Sequence, residues 1–284
     1  MKRRLHTKFG VAIGLAALLG VATAGPASAA VNEHAVPHPL TAQAMAAGLT
    51  QGGGGRPGWE NRSAAAPSAA PSTVASPNVA EVEGIDVSAY QGNVDWASYW
   101  NQGKRWAYTK ASEGNYYTNP YFAQQYTGSY NQGFIRGAYH FATPNDTSGA
   151  VQAQYFVAHG GGWSADGKTL PGMLDIEYNP YGATCYGLSQ ASMVNWIADF
   201  LNTYKGLTGR DAVIYSTLDW WTTCTGNSGA FGASKPLWIA RYASSAGTLP
   251  AGWQYYTFWQ YASSPVDSDQ FNGAIDRLQA LARG

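Results

Sequence analysis

Cysteine and histidine are both scarce in this chain, with two and five respectively among 284 residues, and only His140 and His159 lie beyond residue 80. Hydrolytic zinc sites recruit two or three imidazoles or thiolates at short spacing, and no His-Glu-x-x-His segment occurs, so a zinc hydrolase is not expected. A Gly-x-Ser-x-Gly nucleophile elbow is also missing. Charged residues make up 12% of the chain, with 17 Lys+Arg balanced by 17 Asp+Glu. The cationic footprint of a nucleic-acid binder is therefore lacking. The apolar run Val11 to Ala22 is interrupted by Gly14 and Gly20 and falls short of the roughly 20 residues that span a bilayer. No internal repeat is present. The glycine cluster Gly52 to Gly55 follows no strand pattern and has no phosphate-binding spacing, so no cofactor is expected.

Lys2, Arg3, Arg4 and Lys8 precede the apolar run, and Ala27-Ser28-Ala29 follows it. That order is the anatomy of a secretory signal (residues 1–29), with cleavage before Ala30, and it predicts a secreted, extracellular protein without stable membrane association. Residues 30–80 are rich in Ala, Pro, Ser and Gly and read as a disordered linker or pro-segment, with too little apolar surface to offset ordering entropy. Within them only Leu40 to Leu49 has the pattern of a short amphipathic helix. From Glu81 the texture changes: all 19 tyrosines and 10 of the 11 tryptophans lie in residues 81–284, enough for one domain with a full core. Loss of the signal removes 4 basic and no acidic residues, leaving 13 against 17, or −4. In an oxidising compartment Cys185 and Cys224 are expected to form a disulfide. A single domain with no amphipathic docking helix predicts a monomer.

Strand-length apolar runs recur at Val82 to Val87, Trp106 to Ala111, Ile135 to Phe141, Gly172 to Tyr178, Ala212 to Ser216, Leu237 to Arg241 and Tyr256 to Gln260. Helix-compatible segments separate the earlier ones, including Asn119 to Asn131 and Gln190 to Tyr204, with Gly206 marking the end of the latter. The alternation predicts an α/β fold around a mostly parallel sheet, closed into a barrel or open and doubly wound. After Gly206 the intervals shorten, and Trp253 to Tyr261 reads as antiparallel.

Asp175 and Glu177 stand two residues apart in an otherwise apolar run. In a strand they share one face, while Leu174 and Ile176 turn to the helix layer. Carboxylates so placed repel, which raises the pKa of one of them and yields an acid able to donate a proton near neutral pH. Asp86 ends the first strand, and Asp267 follows the last one. A barrel would bring these ends together, and glycoside hydrolysis requires such a set: one protonated carboxyl for the leaving oxygen and another that is ionised. The same pair could hold a divalent cation or stand as solvated strand ends. Tyr90, Tyr108, Tyr139, Tyr178, Trp238, Tyr242, Trp259 and Tyr261 lie at or near candidate strand ends, where flat faces could stack on sugars or fill the core. His140 could reach an acid, a sugar hydroxyl or only a structural partner.

The ordered set Gly84-Ile85-Asp86-Val87-Ser88-x-Tyr90-Gln91-Gly92-x-Val94-Asp95-Trp96, Thr109-Lys110-Ala111-Ser112-Glu113-Gly114, Gly137-x-Tyr139-His140-Phe141 and Asp175-Ile176-Glu177 resembles glycoside hydrolase family 25, the Chalaropsis-type lysozymes. The resemblance runs from Val82 to at least Phe271. It implies an irregular (β/α)5β3 barrel, TIM-barrel-like, that cuts the β-1,4 bond between N-acetylmuramic acid and N-acetylglucosamine in peptidoglycan glycan strands. By motif, Glu177 resembles the general acid, Asp175 and Asp86 the supporting carboxylates, and Asp267 the late aspartate of a Val-Asp-x-Asp-x-Phe segment. Asn119 departs from the pattern, standing where an aspartate is expected, and no wall-binding repeat follows the domain. A chitin-type hydrolase and a non-catalytic glycan-binding protein are the alternative readings. The latter would lack one of the acids.

Overall fold

The computed structural model describes residues 81–284. The expected signal, the linker and the Leu40 to Leu49 helix lie outside them. Nine strands occur among the described residues: β1 (Val82–Val87), β2 (Trp106–Glu113), β3 (Tyr117–Thr118), β4 (Ile135–Phe141), β5 (Met173–Asp175), β6 (Val213–Ser216), β7 (Leu237–Ala240), β8 (Phe258–Ala262) and β9 (Asp267–Phe271). The α-helices are α1 (Trp96–Asn101), α2 (Phe122–Gln132), α3 (Gly149–Phe156), α4 (Gln190–Thr208), α5 (Leu218–Thr225) and α6 (Ile275–Arg283).

Strands β1, β2, β4, β5, β6, β7 and β8 pair in parallel in that order. Strand β9 runs antiparallel between β8 and β1 and closes an eight-stranded ring, with β3 a short hairpin on β2. Five βα units followed by three strands give the (β/α)5β3 barrel, not the open sheet. The Trp253 to Tyr261 region needs correction. Its strand β8 is parallel to β7 and antiparallel only to β9. Strand β9 escaped the apolar pattern because two of its three buried positions are Asp267 and Asp269, alternating with half-buried Ser268 and Gln270.

Helix α4 buries Met193, Trp196, Ile197, Phe200, Leu201 and Tyr204, one apolar stripe at helical spacing. Ser189 caps its start by accepting from the Ser192 N–H. The helix runs through Gly206 and stops at Gly209, whose φ of 76° only glycine adopts readily. Helices α3 and α4 cross closely at Gly149, where a Cβ would meet the Trp196 carbonyl oxygen at 2.4 Å. The core has two main compartments. Trp106, Tyr108, Met173, Val213, Trp238, Phe258 and Phe271 fill the barrel, floored by Leu278 and Ala282 of α6. Leu174, Ile176, Phe156 and the α4 stripe fill the layer between the sheet and the helices. Each large apolar side chain so buried contributes roughly 1.5–3 kcal/mol against the ordering entropy of the chain. Cys185 and Cys224 are joined by a disulfide.

Candidate active site

Parallel strands deliver their C-terminal residues to one barrel mouth, the face where chemistry collects in such barrels. Asp86 comes from β1, Asp175 from the end of β5, and Glu177 from two residues further along. An antiparallel strand begins where its neighbours end, so β9 places Asp267 at the same mouth, in register with Asp86. All four carboxyls are buried, none more than 6% exposed. They surround Tyr139 of β4, whose fully buried phenol is pushed up by burial and then by Asp86, Asp175, Asp267 and Glu177 together. Leu174 and Ile176 pack on the opposite face, against the helix layer, in keeping with strand alternation. Sequence alternation thus extends through Glu177, although β5 itself ends at Asp175.

Electrostatics distinguish these groups. Burial drives Asp86 up to about 7, partly offset by hydrogen bonds from Gln260 and with Asp269. Burial likewise holds Asp175 well above the usual carboxylate range, with Glu177 the next contributor. Desolvation is therefore the larger effect, and like-charge repulsion the second. Asp267 is raised by burial, then by Asp86 and Glu177. The Asp175 Oδ1 is buried and has no hydrogen-bond partner among the described residues. A mouth lined by four acids, several held toward the neutral form, can both donate a proton and support positive charge.

The aromatic candidates divide. Tyr139 and Tyr242 face the acids, and the Tyr242 hydroxyl donates to Gln260 Oε1 at 3.0 Å. Tyr90 stands 67% exposed in the turn after β1. Tyr178 donates to Asp219 and is held against Thr217, beside Glu177. Tyr108 and Trp238 lie in the sealed barrel core instead, edge-on to each other, with the Tyr108 hydroxyl on the Pro171 carbonyl. Trp259 packs into the outer layer and donates to the Arg241 carbonyl. Tyr261 hydrogen-bonds Glu83 beside Lys104, on the outer wall. His140 is fully buried, with its ring nitrogens bonded to Ser112 and Gln152 and its ring against Phe156 and Phe200. Strand alternation explains the split: His140 and Trp259 point outward from the barrel, whereas Tyr108 and Trp238 point inward but one or more layers below the mouth.

Sequence reasoning passed over Gln260, Asp269, Tyr215 and Tyr186. Gln260 and Tyr215 sit among apolar strand residues, Asp269 was read only as a motif position, and Tyr186 lies in a loop. Tyr186 combines a φ of 57° with a buried, unpaired hydroxyl near Glu177 and Asp175. Asn119 also gains an explanation. Its Nδ2 donates to both the Lys110 carbonyl and Gln125 Oε1, at 2.9 and 2.8 Å, a double donation that an ionised aspartate could not make.

Comparison with known proteins decides the family. Residues 85–270 match the model of "Glycosyl hydrolases family 25". The chain belongs to glycosyl hydrolase family 25. Its relatives include Lysozyme M1 of Streptomyces globisporus, 50% identical over 218 residues that cover 74% of each chain. An N,O-diacetylmuramidase of a Chalaropsis species is 51% identical, covering 72% of this chain and all of that protein. A solved muramidase from Acremonium alcalophilum is 59% identical, covering 72% of this chain and 99% of its own, with a TM-score of 0.70. Family 25 membership makes this chain a glycoside hydrolase. It also gives the acid-lined mouth of the (β/α)5β3 barrel its general chemistry.

Proposed function

We propose that this family 25 chain is a secreted muramidase that hydrolyses the β-1,4 bond between N-acetylmuramic acid and N-acetylglucosamine in peptidoglycan. The observation that carries the reading is the convergence of Asp86, Asp175, Glu177 and Asp267 around Tyr139 at one mouth. Support also comes from relatives at about half identity that bear the names lysozyme and N,O-diacetylmuramidase. In this mechanism Glu177 hands its proton to the leaving glycosidic oxygen. Asp175, beside Glu177, tunes that acid and helps hold the substrate's acetamido group. Asp86 and Asp267 supply negative charge that supports the oxocarbenium-like transition state. Tyr139 and Tyr242 shape the floor and wall, and Tyr90 offers a ring at the rim. The formed Cys185–Cys224 disulfide fits an oxidising compartment and supports export, with Ala30 as the new N-terminus.

The test is digestion of purified peptidoglycan, with and without O-acetyl groups, and of chitin oligomers, with mass spectrometry of the products. The wild type should release fragments carrying muramic acid at the new reducing end. Glu177→Gln should lose on the order of 10²–10⁴-fold in rate while remaining folded. Cleavage of chitin alone, or binding of peptidoglycan without cleavage, would overturn the reading.

A further inference from the structure

One layer below the acids at the mouth, a fifth carboxyl is fully buried inside the barrel. Asp269 of β9 lies in register with Gly84 of β1 and Gln260 of β8, directly beneath the Asp86–Asp267 pair. Its carboxyl is within hydrogen-bonding reach of Asp86. Neither of its oxygens has a closely placed partner among the described residues; the Trp238 indole N–H, itself without another partner, lies alongside and is the one group there that can donate to it. An ionised carboxylate in such a place has only the Trp238 indole N–H and the more distant Lys104 to stabilise its charge, and it abuts a second carboxyl. A proton on one of the two carboxyls makes the contact attractive, and Asp86, which already accepts from Gln260, is the better placed to be the ionised partner.

The other side of Asp86 is fixed just as closely. Gln260 Oε1 accepts hydrogen bonds from both Tyr215 and Tyr242, at 2.8 and 3.0 Å. With two phenols on the oxygen, the amide has one orientation, and Nε2 donates to Asp86 Oδ2 at 2.7 Å. Asp86 is therefore held by an amide from the side and a carboxyl from below.

We propose that Asp269 is a positioning residue for Asp86, carrying its carboxyl in the neutral form and donating that proton upward while Gln260 donates an N–H from the side. The pair then presents Asp86 to the mouth as an ionised carboxylate with a set orientation, a role that rests on the function assigned to Asp86 above. Burial acts on Asp269 in the same sense, followed by the charges of Asp86 and Asp267, with Lys104 and the Trp238 indole N–H opposing. The other titratable groups facing Asp86 are Asp175 and the phenols of Tyr139, Tyr215 and Tyr242.

The experiment pairs two substitutions at Asp269 with a spectroscopic readout of the proton. Asn can donate where a neutral carboxyl donates, so Asp269→Asn should retain activity to within several-fold and leave the acid limb of the kcat/KM profile in place. Asp269→Leu removes the donor and should lower kcat about 100-fold at little change in KM, with the acid limb moved to higher pH. Independently of substrate, infrared difference spectra of the wild type against Asp269→Asn at pH 8, above the titration of Asp86 near 7, should show the loss of one protonated-carboxyl band. Absence of that band overturns the proposal, even if Asp269→Leu fails to fold. So does an acid limb that moves a unit or more downward in Asp269→Asn, since that would mean a negative charge had been removed beside Asp86. A wild type inactive on peptidoglycan but showing the band would count against the assigned substrate and leave the proton on Asp269 standing.

Discussion

Asp86 and Glu113 are both buried carboxylates at strand ends, yet their surroundings push them in opposite directions. Burial raises Asp86 to about 7 because only Gln260 and Asp269 offset it. Burial also acts to raise Glu113, but Lys110 at 2.6 Å and the hydroxyls of Tyr181 and Tyr116 outweigh it and hold Glu113 low. The distinction has a pH signature. Asp86 binds its proton more tightly folded than unfolded, so its contribution to stability is fully present below about 4 and is lost as pH rises to about 7. His140 works the other way: burial lowers it from 6.5 to about 4, and its contribution is lost as pH falls through that window. Comparing variant with wild type at each pH isolates the aspartate. Asp86→Asn should be more stable than wild type at pH 7, by a few kcal/mol at most, with the gain gone near pH 4, as thermal unfolding would report. A gain independent of pH would mean that the destabilisation is steric and not electrostatic. On the proposed mechanism the same variant should also lose activity, since the group that costs stability at neutral pH is the one assigned to face the substrate.

At the scale of elements, the segment after Glu177 is held by unusually many ties. Tyr181 reaches Glu113, Trp220 Nε1 donates to the Thr184 carbonyl at 3.2 Å, and Cys185 is bonded to Cys224 on α5. The bridge closes a separation of 39 residues that contains the whole of α4, and in the chain-entropy model a loop of that length contributes about 4 kcal/mol. The double variant Cys185→Ser, Cys224→Ser should lose that order of stability in urea unfolding. A loss below about 1 kcal/mol would show that the packing of α4 and α5 already restrains the loop. Strand β9 shows how an element and a site can share residues. Its inward positions are Asp267, Asp269 and Phe271, so the strand that closes the ring is also the one that carries two of the five interior acids.

For the whole molecule, closure makes the site. Seven parallel strands alone would leave β1 and β8 as open edges; β9 pairs with both and brings Asp267 opposite Asp86. Helix α6 seals the other end, with Leu278 and Ala282 buried beneath Trp106, Trp238 and Phe271. That sealed, aromatic-packed floor is what keeps water from the lower layer and makes the acids above it costly to ionise. Leu278→Ala should therefore destabilise the protein by about 2–5 kcal/mol in denaturant unfolding. An effect under 1 kcal/mol would show that the floor collapses around the gap. Among the described residues no helix is long and apolar enough to cross a membrane.

Much of this was legible before any coordinates, for local reasons. Strands β1 and β4 were read to the residue because alternation and flanking turns are properties of neighbours in the chain. Asp175 and Glu177 were placed on one face by the two-residue period alone. The stripe of α4 is plain in the sequence, but its end is not: the pattern points to Gly206, and nothing local shows that Gly209 is the residue with positive φ. What only the tertiary structure decided depends on distant segments. Whether the sheet closes, that β8 runs parallel to β7, and that a polar run is a strand all require partners far along the chain. The sorting of aromatics into mouth, sealed core and outer wall depends on depth along the barrel axis, which periodicity does not encode. Burial decides most of the electrostatics as well. Spacing brings Asp175 beside Glu177, but desolvation inside a closed barrel raises Asp175 further than its neighbour does, and closure sets Asp269 beneath Asp86 with the Trp238 indole as its one neighbouring donor.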